Sequence, residues 1–191
     1  MSPRRTDARE RMLESAALLI AERGVSGTSV DEVLAVSGAP RGSVYHHFPG
    51  GRAQLVQEAV ELAGTSIGDL VRGAGDADPA AVFDAFLASW REALRASDYR
   101  AGCPVLAVAI ESRDGTTTLV DTARATFDEW REALGEMLRR GGASPARARR
   151  LATLVVAAVE GAVVLSRAER TLTPLDEVGR ELRGLLISAT G

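Results

Sequence analysis

Both histidines of the chain, His46 and His47, stand side by side between Tyr45 and Phe48. Adjacent imidazoles can ligate a metal or act as a general base, but either role needs partners. The chain has no other His, its single Cys is Cys103, and no carboxylate lies between Glu32 and Glu58. Metal and proton-transfer chemistry are therefore set aside. No nucleophile–base pair, phosphate loop or cofactor motif is visible either. The same segment suits an anion better: Arg41 and Arg52 carry its formal charges, and Ser43, Tyr45 and His46 add hydrogen-bond donors. A nucleic-acid backbone rewards such a surface and repels acids.

The residues from Ser29 to Phe48 read as helix, tight turn, helix. Val30, Val33 and Leu34 supply the buried face of the first helix, and Val44 and Phe48 that of the second. Gly38 gives the corner its backbone freedom. The second helix is then short and exposed, as entry into a major groove requires. Arg41 and Ser43 at its start are expected to meet base edges, flanked by Pro40 and Gly42; Tyr45 and His46 are expected on phosphates. Thr28, at a helix start, and Arg52, opening the next helix, are further phosphate candidates. Arg4 and Arg5 are read as an arm reaching the duplex. Double-stranded DNA is the expected partner.

Around this hairpin the whole chain reads as helix. It has 191 residues, 46% hydrophobic and 26% charged, and its basic residues are all Arg. The net charge of −3 argues against an overall basic coat and leaves local patches open. Leu13, Ala16, Ala17 and Ile20 share a helical face before Gly24. The next helix starts near Thr28 and Ser29, with Asp31 and Glu32 three residues after each possible cap. Pro40, Pro79, Pro104, Pro145 and Pro174 mark first-turn positions. The expectation is an all-α protein of about nine helices. One domain is expected over 1–51 and a second over 52–191, with 52–72 as the connector. Leu151 to Leu165, the longest apolar run, is too short to span a bilayer. A lone cysteine and acidic residues after Arg4–Arg5 point to a cytoplasmic location without a leader.

The larger part offers an aromatic-walled site for a small apolar effector. Phe86 and Trp90 share one helix, Phe127 and Trp130 another, with Cys103, Leu106, Ile110 and Glu160 as further candidates. The helix from Ala146 to about Arg170 is apolar on two sides. Leu151, Leu154, Val155, Ala158, Val159 and Ala162 are assigned to a homodimer interface together with Leu182 and Leu185. Val156, Val163 and Val164 form the other stripe.

The stretch Met12–Leu55 resembles the TetR family of transcriptional repressors. Its residues carrying the likeness are Thr28-Ser29-Val30, Asp31-Glu32, Gly38 and Tyr45-His46-His47-Phe48. Pro40 stands where that family has a small hydroxyl residue, and Arg52 stands one place beyond its usual Lys because of Gly50-Gly51. Phe48-Pro49-Gly50-Gly51-Arg52, Gly102-Cys103-Pro104-Val105 and Glu111 look like the LmrA/YxaF-type subgroup. The resemblance implies a dimeric regulator released from a palindromic operator by a small molecule. A ligand-independent regulator or activator remains the alternative.

Overall fold

Segments rich in Ala, Leu, Arg and Glu become helices because those side chains lose little rotamer freedom in a helix. The described residues form nine helices and no strand: α1 (Pro3–Arg23), α2 (Val30–Ser37), α3 (Ser43–His47), α4 (Gly51–Gly73), α5 (Pro79–Ala96), α6 (Pro104–Glu111), α7 (Thr117–Arg140), α8 (Pro145–Glu169) and α9 (Thr173–Thr190). The structure is a computed structural model describing residues 3–75, 77–111 and 117–190. The side chains of 3–7, 66 and 117 lie outside that set, and with them the Arg4–Arg5 arm.

Several boundaries follow the local chemistry. Asp78 and Ser144 cap α5 and α8, accepting from the backbone N–H of Ala80 and Arg147, with Pro79 and Pro145 in the first turn. Ser29 rather than Thr28 caps α2: its hydroxyl accepts from Glu32 N–H while the Glu32 carboxylate accepts from Ser29 N–H. Gly38 ends α2 in the left-handed conformation at φ +65°. Pro40 does not open α3. Its carbonyl instead accepts from the Ser43 N–H at 2.9 Å and the Ser43 hydroxyl at 2.5 Å, forming a turn, so the helix starts three residues late.

The chain divides into two compact units. The first comprises Met1–Gly64 with Pro104–Arg124; the second comprises Thr65–Cys103 with Ala125–Gly191. This differs from a single cut at residue 51, because the first half of α4 belongs with α1–α3 and the chain returns through α6 to the same unit. In the first unit Met12, Ile20, Val33, Val44, Phe48 and Leu55 are buried. In the second, α5, α8 and α9 pack on one another, and Val71, Val82, Ala133 and Met137 join the end of α4 to α5 and α7. Gly179 permits close approach of α9 to α5: a Cβ there would lie 2.6 Å from Leu87 Cδ1.

The exposed and buried sides of α8 cut across the two stripes of the sequence assignment, and Val163 of the second stripe is buried. Leu151, Val155, Val159 and Ala162 are at most 2% exposed, and Leu182 of α9 is also buried, so these five are core rather than interface. Ala158 is half-buried. Leu154 and Leu185 are exposed as assigned, and Val164, Leu165 and Ile187 are exposed with them. A helical period finds two stripes but carries no label saying which one the same chain covers. Contrary to the expectation for Leu151–Leu165, α8 at 25 residues is long and apolar enough to cross a membrane by length and composition. Within the second unit it is a core helix with one stripe buried.

Truncating the buried stripe leaves a void that close-packed neighbours only partly refill. Leu151→Ala is expected to lower the unfolding free energy by about 2–5 kcal/mol, measured by urea denaturation followed by circular dichroism.

Candidate nucleic-acid interface

The first unit presents a short helix whose apolar residues are tethered inward. Val44 on α3 and Phe48 just after it are buried, and the Arg9 guanidinium covers the Phe48 ring at 5.3 Å from its centroid. Arg9 also pairs with Glu58. Arg11 donates from Nε to the Ser37 carbonyl at 3.0 Å, fixing the end of α2 beside the turn. With its inner side held, the outer side of α3 is left to solvent. Pro40, Arg41, Gly42, Tyr45 and His46 are exposed, Tyr45 to 73%. Arg41 makes no ion pair or hydrogen bond with a described side chain, so its donors point to solvent. The His46 and His47 rings meet edge to face, with centroids 5.0 Å apart. Ser43 is half-buried, and its hydroxyl is already engaged with the Pro40 carbonyl.

The turn from Gly24 to Thr28 sets where α2 begins, and its peptide groups are satisfied from three sides. Thr28 is 3% exposed and donates its hydroxyl to the Gly24 carbonyl at 2.8 Å. Its side chain therefore braces the turn internally rather than facing outward, and Ser29 is the helix cap. Arg52, at the start of α4, donates from Nε to the Thr28 carbonyl at 2.9 Å and from a terminal nitrogen to the Val25 carbonyl. Arg52 is thus a tie between α4 and the turn, with its remaining donors at the exposed surface.

The third support comes from α6. Glu111 accepts from the Val25 N–H at 3.0 Å and from the Ser26 N–H at 2.8 Å. Partial burial pushes its pKa up, but the hydrogen bonds from Ser26 and Val25 and the nearby Arg52 charge outweigh that and hold it below the ordinary 4.5. Gly24 makes room for the carboxylate: it sits at φ +77°, and a Cβ there would lie 1.8 Å from Glu111 Oε1. In the sequence Glu111 stands out only through its place in the LmrA/YxaF-type resemblance. No local signal could place it here, since 86 residues separate it from Val25. Glu32 is likewise held below its ordinary value, by Ser29 first and Arg23 in addition, and Arg23 pairs with it at 2.7 Å.

The residues expected around an effector separate into two groups. In the second unit a narrow, partly open cleft of about 30 Å3 is lined by Phe86, Trp130 and Glu160 of that set. Its other walls come from α4, α5, α7, α8 and α9, among them Val71, Phe83, Met137, Val156 and Leu186. Trp90 is buried edge-on to Phe86, and Phe127 is edge-on to Trp130, so both support the lining aromatics from behind. Cys103 is buried and hydrogen-bonds Glu160. Leu106 and Ile110 do not line the cleft: they lie on α6 in the first unit, and Ile110 is 71% exposed.

Removing the α6 carboxylate should loosen the turn. Glu111→Ala is expected to lower stability by about 1–2 kcal/mol through two lost charge-assisted hydrogen bonds. Because the folded pKa is depressed, this contribution is present above the unfolded value and is lost as pH falls through the folded one. Wild type and variant should therefore converge in thermal melts once the pH falls below the ordinary carboxylate range.

Two family models match the chain. One, described as bacterial regulatory proteins of the tetR family, covers residues 12–59; the other, described as the C-terminal domain of LmrA/YxaF-like transcriptional regulators, covers residues 79–181. An uncharacterised HTH-type transcriptional regulator of Mycobacterium tuberculosis, Rv0196, is 44% identical over 186 residues, covering 94% of each chain. The HTH-type transcriptional regulator LmrA of Bacillus subtilis is 34% identical over 182 residues, covering 94% of this chain and 97% of its own. A solved TetR transcriptional regulator from Chloroflexus aurantiacus aligns with a TM-score of 0.74 at 31% identity, over 96% of both chains. With an acid-free helix exposed on a braced helix-turn-helix, and likeness running through both units, the chain belongs to the TetR family as an LmrA/YxaF-like, DNA-binding transcriptional regulator and not an enzyme.

Proposed function

We propose that the protein is a cytoplasmic homodimeric repressor that leaves a palindromic operator when a small apolar or aromatic effector enters the second unit's cleft. The observation that carries the DNA-reading part is the outer side of α3 and the turn before it, where Arg41, Gly42, Tyr45 and His46 are exposed with no carboxylate from Val33 to Gln57. Arg41 is the base-reading residue, suited to bidentate contact with guanine. Tyr45 and His46 meet phosphates, as do the free donors of Arg52.

Self-association is supported by the uncovered stripe of α8 and α9. Leu154, Val164, Leu165, Leu185 and Ile187 are large apolar residues left exposed in one unit. Gly161 and Gly184 lie among them with open space where a Cβ would be, so a partner's helices can approach closely. An isologous four-helix contact covers this surface and presents two α3 helices, as the symmetry of an inverted-repeat operator requires. Effector release then follows from tighter ligand binding by the conformation that fits DNA less well. An α4 that begins in one unit and ends in the other is the element suited to carry that preference.

Arg41→Ala should weaken binding to a duplex from the protein's own promoter by about 1–3 kcal/mol in fluorescence anisotropy; unchanged affinity and salt slope would remove α3 from the reading role. Leu165→Arg, which puts charge on the uncovered stripe without touching the core, should give a folded monomer in sedimentation equilibrium and abolish tight operator binding.

A further inference from the structure

The cleft of the second unit is walled by hydrocarbon and aromatic rings, and one carboxyl group interrupts it. Glu160 is 8% exposed, and its Oε2 has no hydrogen-bond partner among the described residues. Its neighbour Cys103 supplies one hydrogen bond to the carboxyl group. Among the described residues, the linings from α4, α5, α7 and α9, and the rest of that from α8, contain no basic side chain and no second acid. An acid in such a place has hydrogen-bonding capacity and charge that the protein leaves uncompensated. Burial accordingly pushes the Glu160 pKa up to about 7, against the opposing pull of the Cys103 thiol.

What this cavity lacks is a buried cation. A neutral hydroxyl can donate to Oε2, but it leaves the carboxylate without a counter-charge. A protonated amine supplies both, and the rings of Phe83, Phe86 and Trp130 on the same cleft favour a cation near their faces. Building on the reading that this cleft holds the effector, we propose that Glu160 selects hydrophobic amines, seating the ammonium on Oε2 and the apolar body along Phe86, Trp130 and Met137. The charge balance is simple. Where the carboxyl group is protonated before binding, it gives its proton to solvent, and the incoming ammonium replaces it as the positive partner of the carboxylate.

The test uses the full-length protein and three probes of one skeleton, 4-phenylbutylamine, 4-phenylbutanol and butylbenzene, in isothermal titration calorimetry. Wild type is expected to bind the amine at least about tenfold more tightly than the alcohol. At pH 6 amine binding should release close to one proton, read from heats in buffers of different ionisation enthalpy. E160Q should lose the amine preference and keep butylbenzene binding. If E160Q does not fold, the wild-type proton release decides the matter. Equal affinities for amine and alcohol, or amine binding without proton release, overturn the proposal, while butylbenzene binding then leaves the effector cleft standing. Binding of none of the three probes, with operator affinity intact, overturns both.

Discussion

A five-residue turn, Gly24 to Thr28, has peptide groups that it cannot satisfy by itself, and the placement of the reading hairpin depends on who satisfies them. Glu111 takes two N–H groups, Arg52 takes two carbonyls, and the Thr28 hydroxyl takes a third. The two ionic side chains are also opposite in charge and near each other, so each lowers the cost of holding the other beside the turn. The effect is to fix the first residue of α2, and through Gly38 and the Pro40 turn the orientation of α3. A helix only five residues long has little rigidity of its own, so its orientation must be inherited from what surrounds it.

Two of those supports come from helices that the chain reaches later, α4 and α6. This explains why the first unit is not a simple N-terminal segment. Pro104–Glu111 folds with α1 because its last residue completes the hydrogen bonding of a turn made 86 positions earlier. The same helix begins one residue after Cys103, which touches the buried acid of the cleft in the second unit. The chain thus runs without a break from the polar group of the cleft to the polar support of the reading hairpin.

In the second unit the governing constraint is coverage. α8 carries more apolar surface than one face can bury, so one stripe enters the core with α5 and α9 and the other is left outside. The cleft reflects the same packing: large side chains from five helices meet without filling the space, and Glu160 is the polar exception among them. In such a position a well-packed hydrocarbon of similar volume is often as stable as the charged group or more so.

Much of this was legible from residue order. Spacing of apolar residues, N-cap residues with proline after them and Gly38 sufficed for the helical class and the helix-turn-helix, because these signals act within a few residues. The exposed face of α3 was readable for the same reason: with Val44 inward, Tyr45 and His46 fall on the outer side. The α3 start, the α8 stripes and the role of Glu111 were not. Pro40 forms a turn because neighbouring groups make the turn satisfiable; Leu151 is core and Leu154 is surface because other helices lie on one side of α8. Glu111 belongs to the hairpin because folding brings α6 onto α1. The sequence by itself determined periodicity, local caps and the sign of the charge around α3. Tertiary structure alone decided partners and sides, since those depend on distances between residues far apart in the chain, which no local pattern encodes.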